Sequence, residues 1–296
     1  MNTRTKFRRD APITIYVIVF LISAACIIPF LMVISGSLST QKDIMEHGYS
    51  LIPRNVTFVA YQVLFMKIDI ILQAYKITFL VTIIGTVASL LINAMVAYTI
   101  SRKSVKYRNA ISVYCLITIL FSGGMVPWYI VCINYFHLKD QLIALIVPYL
   151  ANAWYIFLLR NFIGSIPEEL HESAKIDGAG EMRTFAQIIL PLSKPALATI
   201  GLFIALGYWN DWWLALMLVD DEKLRPIQFL LRVIVSNIQF LQSQIGTSEI
   251  RNLTDMTPTE GLKMATCILT IGPIIFLYPL LQRYFVKGIM VGAIKG

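Results

Sequence analysis

Six apolar runs, each near the length needed to cross a lipid bilayer, constrain this chain more than any other feature. They cover approximately residues 13–35, 77–100, 110–133, 141–159, 195–218 and 263–281. A helix needs roughly 20 such residues to cross about 30 Å of hydrocarbon. Pro148, Asn152, Pro273 and Pro279 interrupt the fourth and sixth runs, and breaks of this kind are tolerated where neighbouring helices re-satisfy the backbone. Only 14% of the 296 residues are charged, against about 25% in a soluble domain. The charges sit in blocks between the runs. The sequence therefore predicts an all-α polytopic membrane protein of six transmembrane helices, forming a single transmembrane domain.

The net charge of +8 does not point to nucleic acid, because the basic residues cluster at the ends of apolar runs rather than on one polar face. Ser23-Ala24-Ala25-Cys26 resembles a lipoprotein cleavage box, but the first run continues through Ile27-Ile28-Pro29-Phe30. It is too long for the core of a signal peptide and predicts an uncleaved span. Cys26, Cys115, Cys132 and Cys267 all lie in apolar segments without ligand spacing, and His47, His137 and His171 are scattered. No disulfide framework or metal site is expected. No GxxxxGK[ST] loop, HExxH or Ser/His/Asp arrangement is present, so no catalytic residue and no bound cofactor is expected in this chain.

Orientation follows from basic residues near the span ends. Arg4, Lys6, Arg8 and Arg9 precede the first run. Arg102, Lys103, Lys106 and Arg108 fill the link 101–109 without an acid, and Arg283, Lys287 and Lys295 lie in the tail. Both termini and the link 101–109 are placed in the cytoplasm. The loop 160–193 then also falls inside, and the links 36–76 and 219–262 fall outside.

That inner loop is a polar island. Ser165 and Glu168 match a capping box, and Pro167 suits a first helical turn. Glu168, Glu169 and Glu172 lie toward the positive end of the helix dipole and Lys175 toward the negative end. Gly178 suits a left-handed stop. Phe185, Ile188, Ile189 and Leu192 then recur at helical spacing.

Glu172-Ser173-Ala174, Asp177-Gly178-Ala179, Phe185, Ile188, Leu190-Pro191 and Pro195 resemble the "EAA" loop of bacterial ABC importer permeases. Ser173 stands where the motif has its first Ala. Phe121-Ser122-Gly123-Gly124-Met125-Val126-Pro127 and the tail from Arg283 to Gly296 are similar to the carbohydrate branch, especially its oligosaccharide and polysaccharide permeases. The resemblance spans nearly the whole chain. It implies a type I ABC importer permease fold in the bacterial inner membrane, in contact with lipid. It also implies that Glu168, Glu169, Glu172, Ser173, Ala174, Asp177, Gly178 and Ala179 form a coupling helix and its stop. The implied partners are a second homologous permease, an ATPase dimer that binds ATP and Mg, an extracytoplasmic solute-binding protein and a carbohydrate. An acidic oligosaccharide, such as an alginate- or pectin-derived uronate, is the substrate the resemblance suggests.

An Asp inside a span is costly and points to function by default. Tyr208-Trp209-Asn210-Asp211-Trp212-Trp213 lies roughly 20 Å up the fifth span at about 1.5 Å per residue. On one helix, Trp209 and Trp213 share a face. Indoles can stack on sugar rings while Asn210 and Asp211 bond hydroxyls; an interfacial aromatic belt fits the same residues. Tyr149, Asn152 and Tyr155, with Trp154 beside them, fit an opposing wall of the pathway or polar helix packing, and Asn93 shares that ambiguity. Gly123-Gly124 ahead of Pro127 reads as a gate or a packing kink. Asp220, Asp221, Glu222, Lys223 and Arg225 open the outer loop; relatives of the maltose type reach toward the binding protein there, and a solvated charge run fits equally. Alternatives to a carbohydrate permease are an ABC permease for another small solute and a membrane-embedded enzyme acting on lipid or polyprenyl sugar.

Overall fold

The computed structural model describes residues 13–243 and 259–273. Among these the chain is mainly helical, with a single isolated β-bridge between Ser39 and Val56. It divides into two compact units, residues 1–68 with 233–272 and residues 69–232 with 273–296. The basic N-terminal residues, the end of the sixth run and the tail motif from Arg283 lie outside the described residues.

The first unit begins with α1 (Ile13–Ser37), whose apolar side chains are exposed over most of its length while Ser35, Gly36 and Ser37 are buried. That pattern suits a helix facing lipid. The short helices α2 (Gln41–His47) and α3 (Val59–Phe65) follow, and the Thr40 side chain caps α2 by accepting from Asp43 N at 3.3 Å. Residues 259–273 are helical. At the start of that segment Lys263 pairs with Glu260 at 2.8 Å, and Glu260 also accepts from Tyr49 Oη at 2.7 Å.

The second unit is built on α4 (Ile68–Ser101). At 34 residues it is about 50 Å long, so it projects beyond the hydrocarbon. One face carries Ala74, Thr78, Val81, Gly85, Ser89, Asn93 and Ala97, all buried. Steps of three and four residues align them in one stripe, and their small size lets other helices approach closely. Two helices in the described chain, α1 and α4, are long and apolar enough to span alone.

The other runs are interrupted. The third divides into α5 (Arg108–Leu120) and α6 (Met125–Ile130), the latter extended by a wider turn over Val131–Tyr135, with a bend of 117°. The fourth forms tight turns over Leu142–Leu145 and Val147–Tyr149 and then α7 (Ala153–Ile163), bent by 53°. The polar island folds as α8 (Glu169–Ile176), α9 (Glu181–Thr184) and α10 (Leu190–Leu192). The fifth run is α11 (Lys194–Asn210) and α12 (Trp213–Leu218), separated at Asp211 and Trp212. A third bent pair joins Glu181–Leu192 to α11 at 83°, and counting each bent pair as one span gives up to five among the described residues; the sixth run lies partly outside them.

Two expectations are corrected here. Ser165 does not cap α8: its Oγ donates to Phe162 O at 2.7 Å, and its N–H also bonds that carbonyl at 3.0 Å. Ser165 instead lies just past the end of α7, where it satisfies the open Phe162 carbonyl. The link 219–262, read from the sequence as a loop, is not one throughout. It contains α13 (Ile227–Ser243), whose apolar residues Ile227, Leu230, Leu231, Ile234 and Ile238 follow helical spacing.

The links 134–140 and 219–262 are tied together. Asp140 Oδ1 accepts from Asp220 N at 2.6 Å and Asp221 N at 2.9 Å, and Lys139 pairs with Asp220 at 2.7 Å. The two amide donors hold the Asp140 carboxyl below the usual carboxylate range.

Candidate functional site

The polar segment from α8 to α9 is fixed from one side and open on the other. α8 buries His171 and Ala174. The His171 ring stacks on Tyr98 of α4, with centroids 5.9 Å apart, and Phe185 packs on Tyr98 at 5.3 Å. Tyr98 Oη donates to Glu181, which also pairs with Arg102 at 4.0 Å, and Lys103 pairs with Glu168 at 3.4 Å. Burial, then the Arg102 charge, holds the His171 imidazole below its ordinary pKa, against the opposing pull of Glu181 and Glu168. The open side carries Leu170, Ile176 at 85% exposure and Met182 at 64%, together with Glu169, Glu172 and Ser173. Large exposed side chains on a short loop helix mark an interaction surface rather than a folding residue.

The stop after α8 is as the sequence predicts. Gly178 has φ of +73°. Ala179 N donates to Ala174 O at 2.9 Å and Gly178 N to Lys175 O at 3.1 Å, the paired bonds of a Schellman motif. Asp177 occupies the last position before the turn.

A second constellation gathers the helix breaks. At Leu150–Asn152 the backbone is satisfied by Asn93: its Nδ2 donates to Leu150 O at 3.0 Å and its Oδ1 accepts from Asn152 N at 2.9 Å. Asn93 is fully buried, so this is polar support of a broken helix. Asn152 Oδ1 in turn caps α7 by accepting from Trp154 N at 2.9 Å. At the α11–α12 break, Asp211 Oδ2 accepts from Leu214 N at 3.1 Å and Oδ1 from Tyr149 Oη at 3.0 Å. Tyr208 Oη donates to Ile146 O at 2.9 Å.

These breaks surround two neighbouring cavities. One, of about 300 Å³, is lined by Tyr149, Asn152, Tyr155, Tyr208, Asn210 and Asp211 among others. The other, of about 530 Å³, includes Ser122, Gly123, Gly124, Trp128, Tyr149 and Trp213. Tyr149 forms a wall of both. Irregular backbone at membrane depth is tolerated where it lines a cavity, and here three separate breaks do so.

The structure thus brings Tyr149, Asn152, Tyr155, Asn210 and Asp211 together. It does not place Trp209 and Trp213 on one helical face, because Asp211 is extended and ends α11. Trp209 is only 2% exposed and meets Phe79 edge-on at 5.2 Å, so it is a packing residue of the α4–α11 contact. Trp212 lies at 5.9 Å from Trp213 in a T-shaped pair, and the Arg232 guanidinium covers the Trp212 ring at 4.1 Å.

Residues 3–291 match the family of binding-protein-dependent transport system inner membrane components. The chain belongs to this family. The permease is 36% identical over 285 residues to the polygalacturonan/rhamnogalacturonan transport system permease protein YtcP of Bacillus subtilis, covering 95% of this chain and 97% of the relative. It is 35% identical over 275 residues to Protein LplC of Bacillus subtilis, covering 93% and 91%. Among solved structures, a chain of a bacterial ABC transporter that imports the acidic polysaccharide alginate superposes with a TM-score of 0.79 at 26% identity, covering 96% of the permease and 100% of that chain. The family is one of transport system components and YtcP is named a transport system permease, so the permease is a membrane transport component and not an enzyme. Its fold is that of an ABC importer permease.

Sequence reading missed Tyr98, Glu181 and Trp128, and gave Tyr208 no role of its own within its stretch. Tyr98 was the most readable, as a polar aromatic in the last turn of a span just before Arg102 and Lys103. The Asp211 geometry gives a direct expectation. Asp211→Ala removes the acceptor for Leu214 N and releases Tyr149, and losing such a cap costs about 0.5–2 kcal/mol. Asp211→Asn keeps an acceptor oxygen and is a good cap itself. Substrate uptake per assembled complex is expected to fall several-fold in Asp211→Ala and to stay near wild type in Asp211→Asn. Equal loss in both assigns the role to the charge instead.

Proposed function

We propose that the permease is one half of the translocation pathway of an ATP-driven, binding-protein-dependent importer of oligosaccharide or polysaccharide fragments, acidic ones in particular. The observation that carries the coupling half of this reading is the two-sided segment α8–α9. One side is locked to the long helix α4 by His171, Tyr98 and Glu181, and the other presents Ile176 and Met182 outward. An ATPase subunit docked on that outer side moves α4 when it closes, and α4 carries the small-residue face against which the broken helices rest. Alternating access then proceeds by rocking around a fixed midplane site. The partners are a second permease, an ATPase dimer that handles ATP and Mg, and an extracytoplasmic solute-binding protein. Both termini and the link 101–109 face the cytoplasm, and the six spans form a single permease domain.

The acidic sugar class is supported by the names of two similar proteins, one for polygalacturonan/rhamnogalacturonan and one for alginate. It is also supported by Arg232, exposed on Trp212 and without a salt bridge among the described residues. Tyr149, Asn152, Tyr155, Asn210 and Asp211 supply the hydroxyl partners and Trp213 an apolar ring.

The test is reconstitution of the permease with its partner permease, ATPase and binding protein in proteoliposomes. ATP-dependent uptake of trigalacturonate, with sugar-stimulated ATPase, is the expected result. Failure of the chain to hold any ATPase subunit, or turnover of a lipid-linked sugar by the isolated chain, removes the reading.

A further inference from the structure

Two cavities on either side of one tyrosine raise the question of what the larger one holds. The smaller is polar, with Asn152, Asn210 and Asp211 in its wall. The larger has a different chemistry. Trp128 and Trp213 contribute indoles, Tyr149 a phenol, and Gly123 and Gly124 bare backbone. Gly124 has φ of +85°, and neither glycine has a neighbour within 4 Å of where a Cβ would stand. Main-chain N–H and C=O groups there are approachable, as an unwound helix break in a transporter allows. The Ser122 hydroxyl oxygen accepts from Gly124 N at 3.3 Å and keeps its own proton to donate. Trp213 is held edge-to-face by Trp212, which fixes its orientation. Rigid aromatic faces beside a few fixed hydrogen-bonding groups make a ring-binding site.

We propose that the larger cavity is a second sugar-ring subsite, with Trp128 and Trp213 as stacking faces, so that the permease reads an oligosaccharide of at least two rings across Tyr149. This rests on the carbohydrate reading above and deepens it to chain length. Trp128 is a binding residue for the ring that follows the one held by Asn152, Asn210 and Asp211. A lipid tail or a helix of the partner permease in the same cavity would make no distinction between sugar lengths.

The experiment titrates the purified complex, without binding protein, with galacturonate and its dimer and trimer, following protein fluorescence or calorimetric heat. In the wild type, affinity is expected to rise from the monomer to the dimer by on the order of tenfold, the scale of one aromatic contact. Trp128→Ala is expected to erase that increment while leaving monomer affinity unchanged, and Trp128→Phe to keep most of it. Gly123→Leu fills the cavity without removing a packing side chain and is expected to match Trp128→Ala, which covers the case in which Trp128→Ala fails to assemble. Chain-length dependence equal to wild type in Trp128→Ala and in Gly123→Leu, or a loss equal at every length, overturns the second subsite. A wild-type complex that binds none of these sugars and no neutral counterpart, such as galactotriose, instead overturns the carbohydrate reading itself.

Discussion

Sugar-stimulated ATPase activity is expected to collapse toward the basal rate in Gly178→Val. The cause is local and purely conformational. Gly178 sits at φ of +73°, and a Cβ added there meets nothing within 4 Å, so no clash with a neighbour contributes. The left-handed region costs a side-chain-bearing residue about 1–2 kcal/mol, and a β-branched residue more. That is a factor of roughly 5–30 in the population of the native turn. The turn matters because its two bonds, from Ala179 N to Ala174 O and from Gly178 N to Lys175 O, set the path from α8 to α9. Glu181 lies at the start of α9 and is the residue that Tyr98 and Arg102 hold. Losing the turn therefore releases α8 and α9 from α4 together. Gly178→Asn is the control, since Asn enters the left-handed region most readily after Gly, and it is expected to retain most of the stimulation. Measured on assembled complex, wild-type stimulation in Gly178→Val removes the coupling role assigned to this turn.

Gly178 was legible in the sequence because its chemistry is local: a glycine after a short charged helix has one common use. The helix breaks were only half legible, for a physical reason. A run of apolar residues records how much hydrocarbon a segment can fill but not the direction in which it runs. The third run, 110–133, has the composition of one span, yet Gly123 and Gly124 permit a 117° turn inside it. Asn93 was equally ambiguous, because a buried amide serves a ligand or a broken backbone with the same atoms. Only the positions of Leu150 O and Asn152 N decide between them. The shared face of Trp209 and Trp213 failed for a related reason. Asp211 is a strong capping residue, and capping Leu214 N requires leaving the helix that the spacing assumed. α13 was hidden by the charged cluster Asp220–Arg225 that precedes it. The apolar residues at helical spacing begin only after it, at Ile227.

The largest loss of transport is expected at a residue that carries no functional group. A Cβ at Gly85 would stand 2.7–2.8 Å from three atoms of the Tyr208 ring, closer than real carbon contacts allow. The ring cannot swing aside cheaply. Tyr208 is buried, its hydroxyl is bonded to Ile146 O at 2.9 Å, and its ring meets Tyr149 at 6.1 Å. Overpacking alone costs about 1–3 kcal/mol, and a buried carbonyl left without its donor adds about 1–3 kcal/mol. The displacement propagates along a short chain of contacts: Tyr208 positions Tyr149, and Tyr149 holds Asp211 and separates the two cavities. Gly85→Ala is expected to lower uptake at least tenfold, and Gly85→Val to abolish it, with α8 and its contacts to Tyr98, about three and a half turns further along α4, left in place. Basal ATPase and co-purification of the ATPase subunits should therefore persist in Gly85→Ala. The second-site variant Tyr208→Leu removes the aromatic ring from the clash but not the need for a hydroxyl at Ile146. Gly85→Ala/Tyr208→Leu is accordingly expected to regain thermal stability of the complex while uptake stays low. Recovery of uptake in that double variant would show that Tyr208 only fills space, and that Tyr149 and Asp211 hold their geometry without it.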